Sequence, residues 1–199
     1  MSIPSAVAAA LARHPAIDSV RQAGSRAGGT PTELSDWDFE VQTGDFPAVA
    51  EALPELVRAL SPLAQQWDRL AHRRTYMLLL PGPVKVDLLF AERQTPAAPW
   101  SVDASSLAAI DHHFWDWILW LGSKQLRDQT ELVDAELSRM ATHLLGPIGV
   151  GRSPSGIDDA IDLYRAARGA AEERLRARVD RRAEREVVLA LTRAGLRQA

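Results

Sequence analysis

Cysteine is absent from the 199 residues, which excludes a disulfide framework, a thiolate zinc site and a cysteine nucleophile. Lysine is nearly absent as well: Lys85 and Lys124 stand against 21 arginines, so neither reads as surface filler. A net charge of −3 offers no broad attraction for nucleic acid, although charge can still cluster locally. No apolar run approaches membrane-spanning length, since even 114–121 is interrupted by Asp116, and no membrane partner is expected. The start of the chain lacks the marks of a signal peptide. Residues 5–12 are rich in alanine and leucine, but the run is short, has no basic flank before it and meets Arg13 and His14. A soluble, cytoplasmic protein is the expectation. The 46% hydrophobic and 25% charged content is that of an ordinary globular chain, long enough for one substantial core or two small ones.

What is present divides into two halves. Residues 4–14 predict a short helix started by Ser2 or Pro4 and stopped before Pro15. Ile17–Ala23 predicts a strand ending in the Gly24-Ser25 turn. Trp37, Phe39 and Val41 alternate with Asp36, Asp38 and Glu40, the period of a half-buried strand. Residues 45–60 have helical spacing, with Val49, Leu53, Leu56, Val57 and Leu60 on one face. Runs 75–80 and 84–90 flank Pro81-Gly82-Pro83 and predict a hairpin of buried strands. Residues 91–104, with Pro96 and Pro99, predict a linker. Helices are expected beyond it over 106–121, 124–145 and one long Arg-rich stretch, 158–196, whose Leu175, Val179, Ala183, Val187 and Leu191 make a packing stripe.

The chemistry concentrates in 23–41. Residues two apart on a strand share a face, so Asp36 and Asp38 project together, about 7 Å apart along the strand. Two such carboxylates can hold one or two Mg²⁺ ions, which take oxygen ligands and substrate phosphates. Asp87, within Val84-Lys85-Val86-Asp87-Leu88-Leu89-Phe90, would complete the set from an adjacent strand. Gly24 lets backbone come close to a triphosphate, and the Ser25 hydroxyl can bind its oxygens. Arg26 and Lys85 are further candidates for phosphate contact.

Apolar-Gly24-Ser25, then about ten residues, Ser35-Asp36-x-Asp38-apolar, and later apolar-Asp87-apolar resemble the nucleotidyltransferase superfamily related to DNA polymerase β. The motifs lie within residues 20–90. The compact size and helical second half are most similar to bacterial enzymes that adenylylate aminoglycosides or lincosamides, and to minimal nucleotidyltransferases. The resemblance implies an α+β fold: a nucleotidyltransferase domain over 1–98, with a mixed twisted sheet flanked by helices, and a helical bundle over 99–199. It implies that Gly24 and Ser25 bind the triphosphate and that Asp36, Asp38 and Asp87 bind metal, the third acting in some members as base. The implied reaction moves a nucleoside monophosphate, AMP from ATP first among the NTPs, onto a hydroxyl of a small antibiotic-like acceptor and releases pyrophosphate. A protein acceptor, as for antitoxin-type members, is the alternative, with a non-catalytic nucleotide-binding protein after it. One departure stands out: minimal members carry Gly-Ser-x-Ala-Arg-Gly, whereas Gly28 occupies the arginine position here, so that either Arg26 substitutes for it or the phosphate grip is looser.

In the helical half, Asp111-His112-His113-Phe114-Trp115-Asp116-Trp117 is the richest segment. His112 and Asp116, one turn apart, are candidates for an acceptor pocket, with Asp116 as a general base; the tryptophans read as core. Adjacent helical residues diverge by about 100°, so His112 and His113 do not chelate one zinc ion. Glu131 and Asp134 could meet a cationic acceptor but read first as solvated. Lys124, placed near a helix start after Gly122-Ser123, is a candidate for the triphosphate. Eight arginines within 165–185 are interleaved with Glu172, Glu173, Asp180 and Glu184, with no aromatic residue inside the stretch for base stacking. They read as a solvated face or a homodimer contact.

Overall fold

Ser2 caps the first helix, α1 (Ile3–Leu11), accepting the Ser5 N–H, with proline in the first turn where its missing N–H is harmless. The computed structural model describes residues 2–197. The helix ends three residues before the expected stop at His14. Strand β1 (Ile17–Ala23) follows as predicted and runs into a four-residue helix, α2 (Gly24–Ala27). Strand β2 (Trp37–Thr43) leads to α3 (Phe46–Leu56), which Asp45 caps by accepting the Ala48 N–H at 3.1 Å. A 3₁₀ turn, Val57–Leu60, carries the chain onward.

Strand β3 (Ala64–Trp67) was not foreseen; β4 (Arg73–Leu80) and β5 (Val84–Arg93) form the expected hairpin. The five strands make one mixed sheet in the order β1-β2-β5-β4-β3, with β2 and β5 parallel and the other pairs antiparallel. Alternation sends Phe39, Val41, Tyr76, Leu78, Leu80, Val86, Leu88 and Phe90 to one face, where they pack in a core with Val7, Leu11, Val49, Leu53 and Val57 from the helical segments. The opposite face is therefore the one that carries Asp38 and Asp87. Residues up to Pro31, together with Ser35–Pro96, form one compact unit.

Thr32–Leu34 and the chain from Ala97 onward form a second unit. Its regular elements are all helical among the described residues: α4 (Leu107–Gln125), α5 (Thr130–Met140), a π-type turn Ala141–Leu145, α6 (Gly146–Ile148), α7 (Ile157–Leu175) and α8 (Arg182–Arg193). The molecule is thus α+β, a five-stranded mixed sheet with helices and a separate helical unit. Two expected boundaries are corrected. Gly122-Ser123 lies inside α4, so Lys124 sits near that helix's C-terminal end rather than at a helix start. The expected 158–196 helix is two helices, parted where Arg176 takes a left-handed conformation, φ +51°.

The Arg-rich stretch is also less solvated than expected. Arg168 is 4% exposed and joins α4, α7 and α8: its Nη1 lies 2.8 Å from Asp111 Oδ1 and its Nη2 2.6 Å from Glu184 Oε2. Arg181 reaches Glu172 at 2.6 Å, while Arg174, Arg176, Arg178, Arg182 and Arg185 are exposed. No described helix is long and apolar enough to cross a membrane.

Candidate active site

Register brings the carboxylates together. Asp38 and Asp87 are direct partners across the parallel β2–β5 ladder, so their side chains leave the same face side by side. Asp36, one residue before β2, has the same parity and is buried. One ligand oxygen from each of Asp36, Asp38 and Asp87 lies within 4.8 Å of the others. Three oxygen donors this close match the ligand chemistry of a hard divalent cation such as Mg²⁺.

On the other side of β2, Ala23 of β1 pairs with Asp38, so the chain turns into α2 directly over that carboxylate. Gly24 has φ +66°, and a Cβ there would lie 1.8 Å from Asp38 Oδ2. The position admits no side chain while Asp38 keeps its place. Next to it, the Ser25 hydroxyl oxygen is buried and has no hydrogen-bond partner among the described residues. Such a hydroxyl is free to bond a water or a polar ligand atom.

Arg26, the other candidate for phosphate contact on this turn, is bonded to the protein through Nε and Nη2. Its Nε donates to the carbonyls of Ser35 (2.9 Å) and Asp36 (3.1 Å), its Nη2 donates to Ser35 (2.7 Å), and its guanidinium lies over the Trp37 ring at 4.4 Å. Burial lowers its pKa from the ordinary value, with the Asp36 charge opposing. The planar fork ties α2 to the segment that delivers Asp36 and Asp38. Lysine has one ammonium and no such fork. Arg26→Lys is therefore expected to weaken Mn²⁺ binding by about tenfold, measured by titration with the fold checked by circular dichroism.

Lys85 and Asp87, two apart on β5, share a face, and Lys85 Nζ lies 2.5 Å from Asp87 Oδ1. Burial pushes the Asp87 carboxyl up from its ordinary value; Lys85 opposes the rise, and the charges of Asp36 and Asp68 add to it. Asp68, just past β3, was not a candidate from sequence. Its carboxylate accepts the Leu70 and Ala71 N–H groups at 2.7 and 3.2 Å, and only the strand pairing brings it near enough to act on Asp87.

The remaining candidates belong to the helical unit. His112 and Asp116 lie on α4, Asp116 buried and His112 half-buried with its pKa lowered by burial against the charges of Asp111 and Asp180. Lys124 places its ammonium 4.7 Å from the Trp120 ring centroid. Glu131 and Asp134 are exposed on α5. Trp115 and Trp117 are core, as expected, with Nε1 donating to Asp111 (3.3 Å) and Glu136 (3.0 Å) respectively.

No family model and no curated protein matches the chain. Among solved structures it is similar to the crystal structure of an aminoglycoside 6-adenyltransferase from Bacillus subtilis, at 13% identity over 98% of this chain and 97% of that one, with a TM-score of 0.32. A likeness at that identity and score carries no functional argument.

Proposed function

We propose that the chain is a Mg²⁺-dependent nucleotidyltransferase that moves a nucleoside monophosphate, AMP from ATP first, onto a hydroxyl of a small antibiotic-like acceptor. The observation that carries this reading is the meeting of three carboxylates within 4.8 Å beneath a glycine turn too close to Asp38 for any side chain. Asp36 and Asp38 would hold the ion, with Asp87 completing the set. Bound there, it would neutralise charge on the transferred phosphoryl group and on the departing pyrophosphate.

The chain's own part is positioning. The Gly24 turn brings backbone directly against the Asp38 carboxylate with no side chain between them, and the Ser25 hydroxyl gains its missing partner in a phosphate oxygen. The acceptor oxygen attacks the α-phosphorus, the bond to the bridging oxygen breaks, and pyrophosphate leaves. The acceptor's proton goes to solvent, or to Asp87 where that carboxylate is not ligating. A raised pKa makes Asp87 the stronger base for that step.

Pyrophosphate release tests this, with the four NTPs and Mg²⁺ against panels of aminoglycosides, lincosamides and candidate proteins. Acceptor-dependent turnover is expected, reduced about a thousandfold in Asp36→Asn and in Asp38→Asn. A panel in which no small molecule raises turnover above that of Asp36→Asn would end the small-molecule reading.

A further inference from the structure

Lys85 is 5% exposed, and it pairs with Leu79 across β4–β5, so its stem lies on the sheet face that carries the carboxylates. A buried ammonium needs an anion beside it, and Asp87 Oδ1 at 2.5 Å is that anion. The contact is built into the strand, because residues 85 and 87 share a face. Asp87 is also one of the three groups whose oxygens converge. One carboxylate of the cluster thus already has a cation that belongs to the protein.

We infer that Lys85 is a positioning residue, the internal counter-ion of Asp87, and that it sets how strongly the carboxylate cluster binds a divalent cation. In the free protein Lys85 answers the charge of Asp87, and the ion is held by Asp36 and Asp38 alone. Resting on the nucleotidyl-transfer reading, this means the ion is held firmly only when nucleotide phosphates add their own oxygens. The argument is electrostatic: a unit positive charge about 5 Å from a divalent ion lowers its affinity about tenfold even at the dielectric of water, and more when buried.

The test is Mn²⁺ titration of the free protein, without nucleotide, followed by the loss of the free-ion electron paramagnetic resonance signal. Lys85→Met is expected to bind Mn²⁺ at least about tenfold more tightly than wild type. Lys85→Arg, which keeps the charge, should stay close to wild type, a rescue that packing alone would not give. The double variant Lys85→Met/Asp87→Asn removes a pair of zero net charge and should also bind near the wild-type value. It decides the matter should Lys85→Met fail to fold. Unchanged or weaker binding in Lys85→Met overturns the inference, as does a loss of about tenfold in the double variant. If wild type and Lys85→Met both fail to bind Mn²⁺, the metal reading falls together with the inference. If wild type binds and Asp36→Asn does not, while Lys85→Met behaves as wild type, the inference alone falls.

Discussion

Gly24→Ala is expected to lower nucleotidyl transfer about a hundredfold and to weaken Mn²⁺ binding, with the protein still folded. The new Cβ would lie 1.8 Å from Asp38 Oδ2 and 2.8 Å from its Cγ, closer than a Cβ comes to any non-bonded heavy atom, so the carboxylate or the turn must move. Asp38 is fixed by its ladder to Asp87 on one side and Ala23 on the other, and the displacement therefore falls on the carboxylate itself. A shift of about 1 Å at a reacting centre is enough for that loss. Positive φ alone costs an alanine about 1–2 kcal/mol. Gly29 isolates this second effect: its φ is +75° but a Cβ there meets nothing within 4 Å. Gly29→Ala should lose a little stability and keep wild-type Mn²⁺ affinity. If Gly24→Ala matched it in both measurements, Asp38 would have no part in holding the ion.

Much of this sheet was legible because its signals are local. Alternation in Trp37-Asp38-Phe39-Glu40-Val41 gives the strand and both of its faces, and Ser2 and Pro81-Gly82-Pro83 mark a helix start and a turn. What was missed depends on partners far along the chain. Ala64–Trp67 is only four residues long, with two glutamines, and becomes a strand because β4 offers it an edge. Gly122 looked like a break between helices, yet a Cβ there would lie 2.7 Å from Leu191 Cδ2 and 3.0 Å from Leu34 Cδ1. Glycine is present for close packing, and the break falls later, at Asp128 with φ +56°. Arg176 ends α7 in a left-handed conformation that nothing in an arginine announces. Convergence of Asp36, Asp38 and Asp87 was expected from parity and resemblance; the seating of Arg26 against Ser35 and Asp36 follows from side-chain packing, which spacing does not encode.

Arg168→Met is expected to destabilise the protein by about 3–5 kcal/mol at neutral pH, as is Asp111→Ala. Asp111 Oδ1 accepts from Tyr164 Oη at 2.8 Å, Arg168 Nη1 at 2.8 Å and Trp115 Nε1 at 3.3 Å, all buried. Asp111 Oδ2 and Arg168 Nε have no hydrogen-bond partner among the described residues. A network left partly unsatisfied adds little net stability as a whole, but removing one member strands a buried charge. Arg168→Met/Asp111→Ala should therefore cost clearly less than the sum of the two single changes, a coupling read from denaturant unfolding. The pH dependence carries the sharper sign. Burial already raises the Asp111 carboxyl above its ordinary value, with Arg168 and Tyr164 opposing, and loss of Arg168 lets it rise further. A carboxyl raised in the folded state favours folding below its unfolded value, and that contribution is lost as pH climbs through the folded one. The cost of Arg168→Met should thus shrink as pH falls from 7 toward about 4, where Asp111 becomes neutral and no longer needs its partner. A cost that stayed constant or grew over that range would mean that Arg168 contributes packing and its bond to Glu184, with no role in neutralising Asp111.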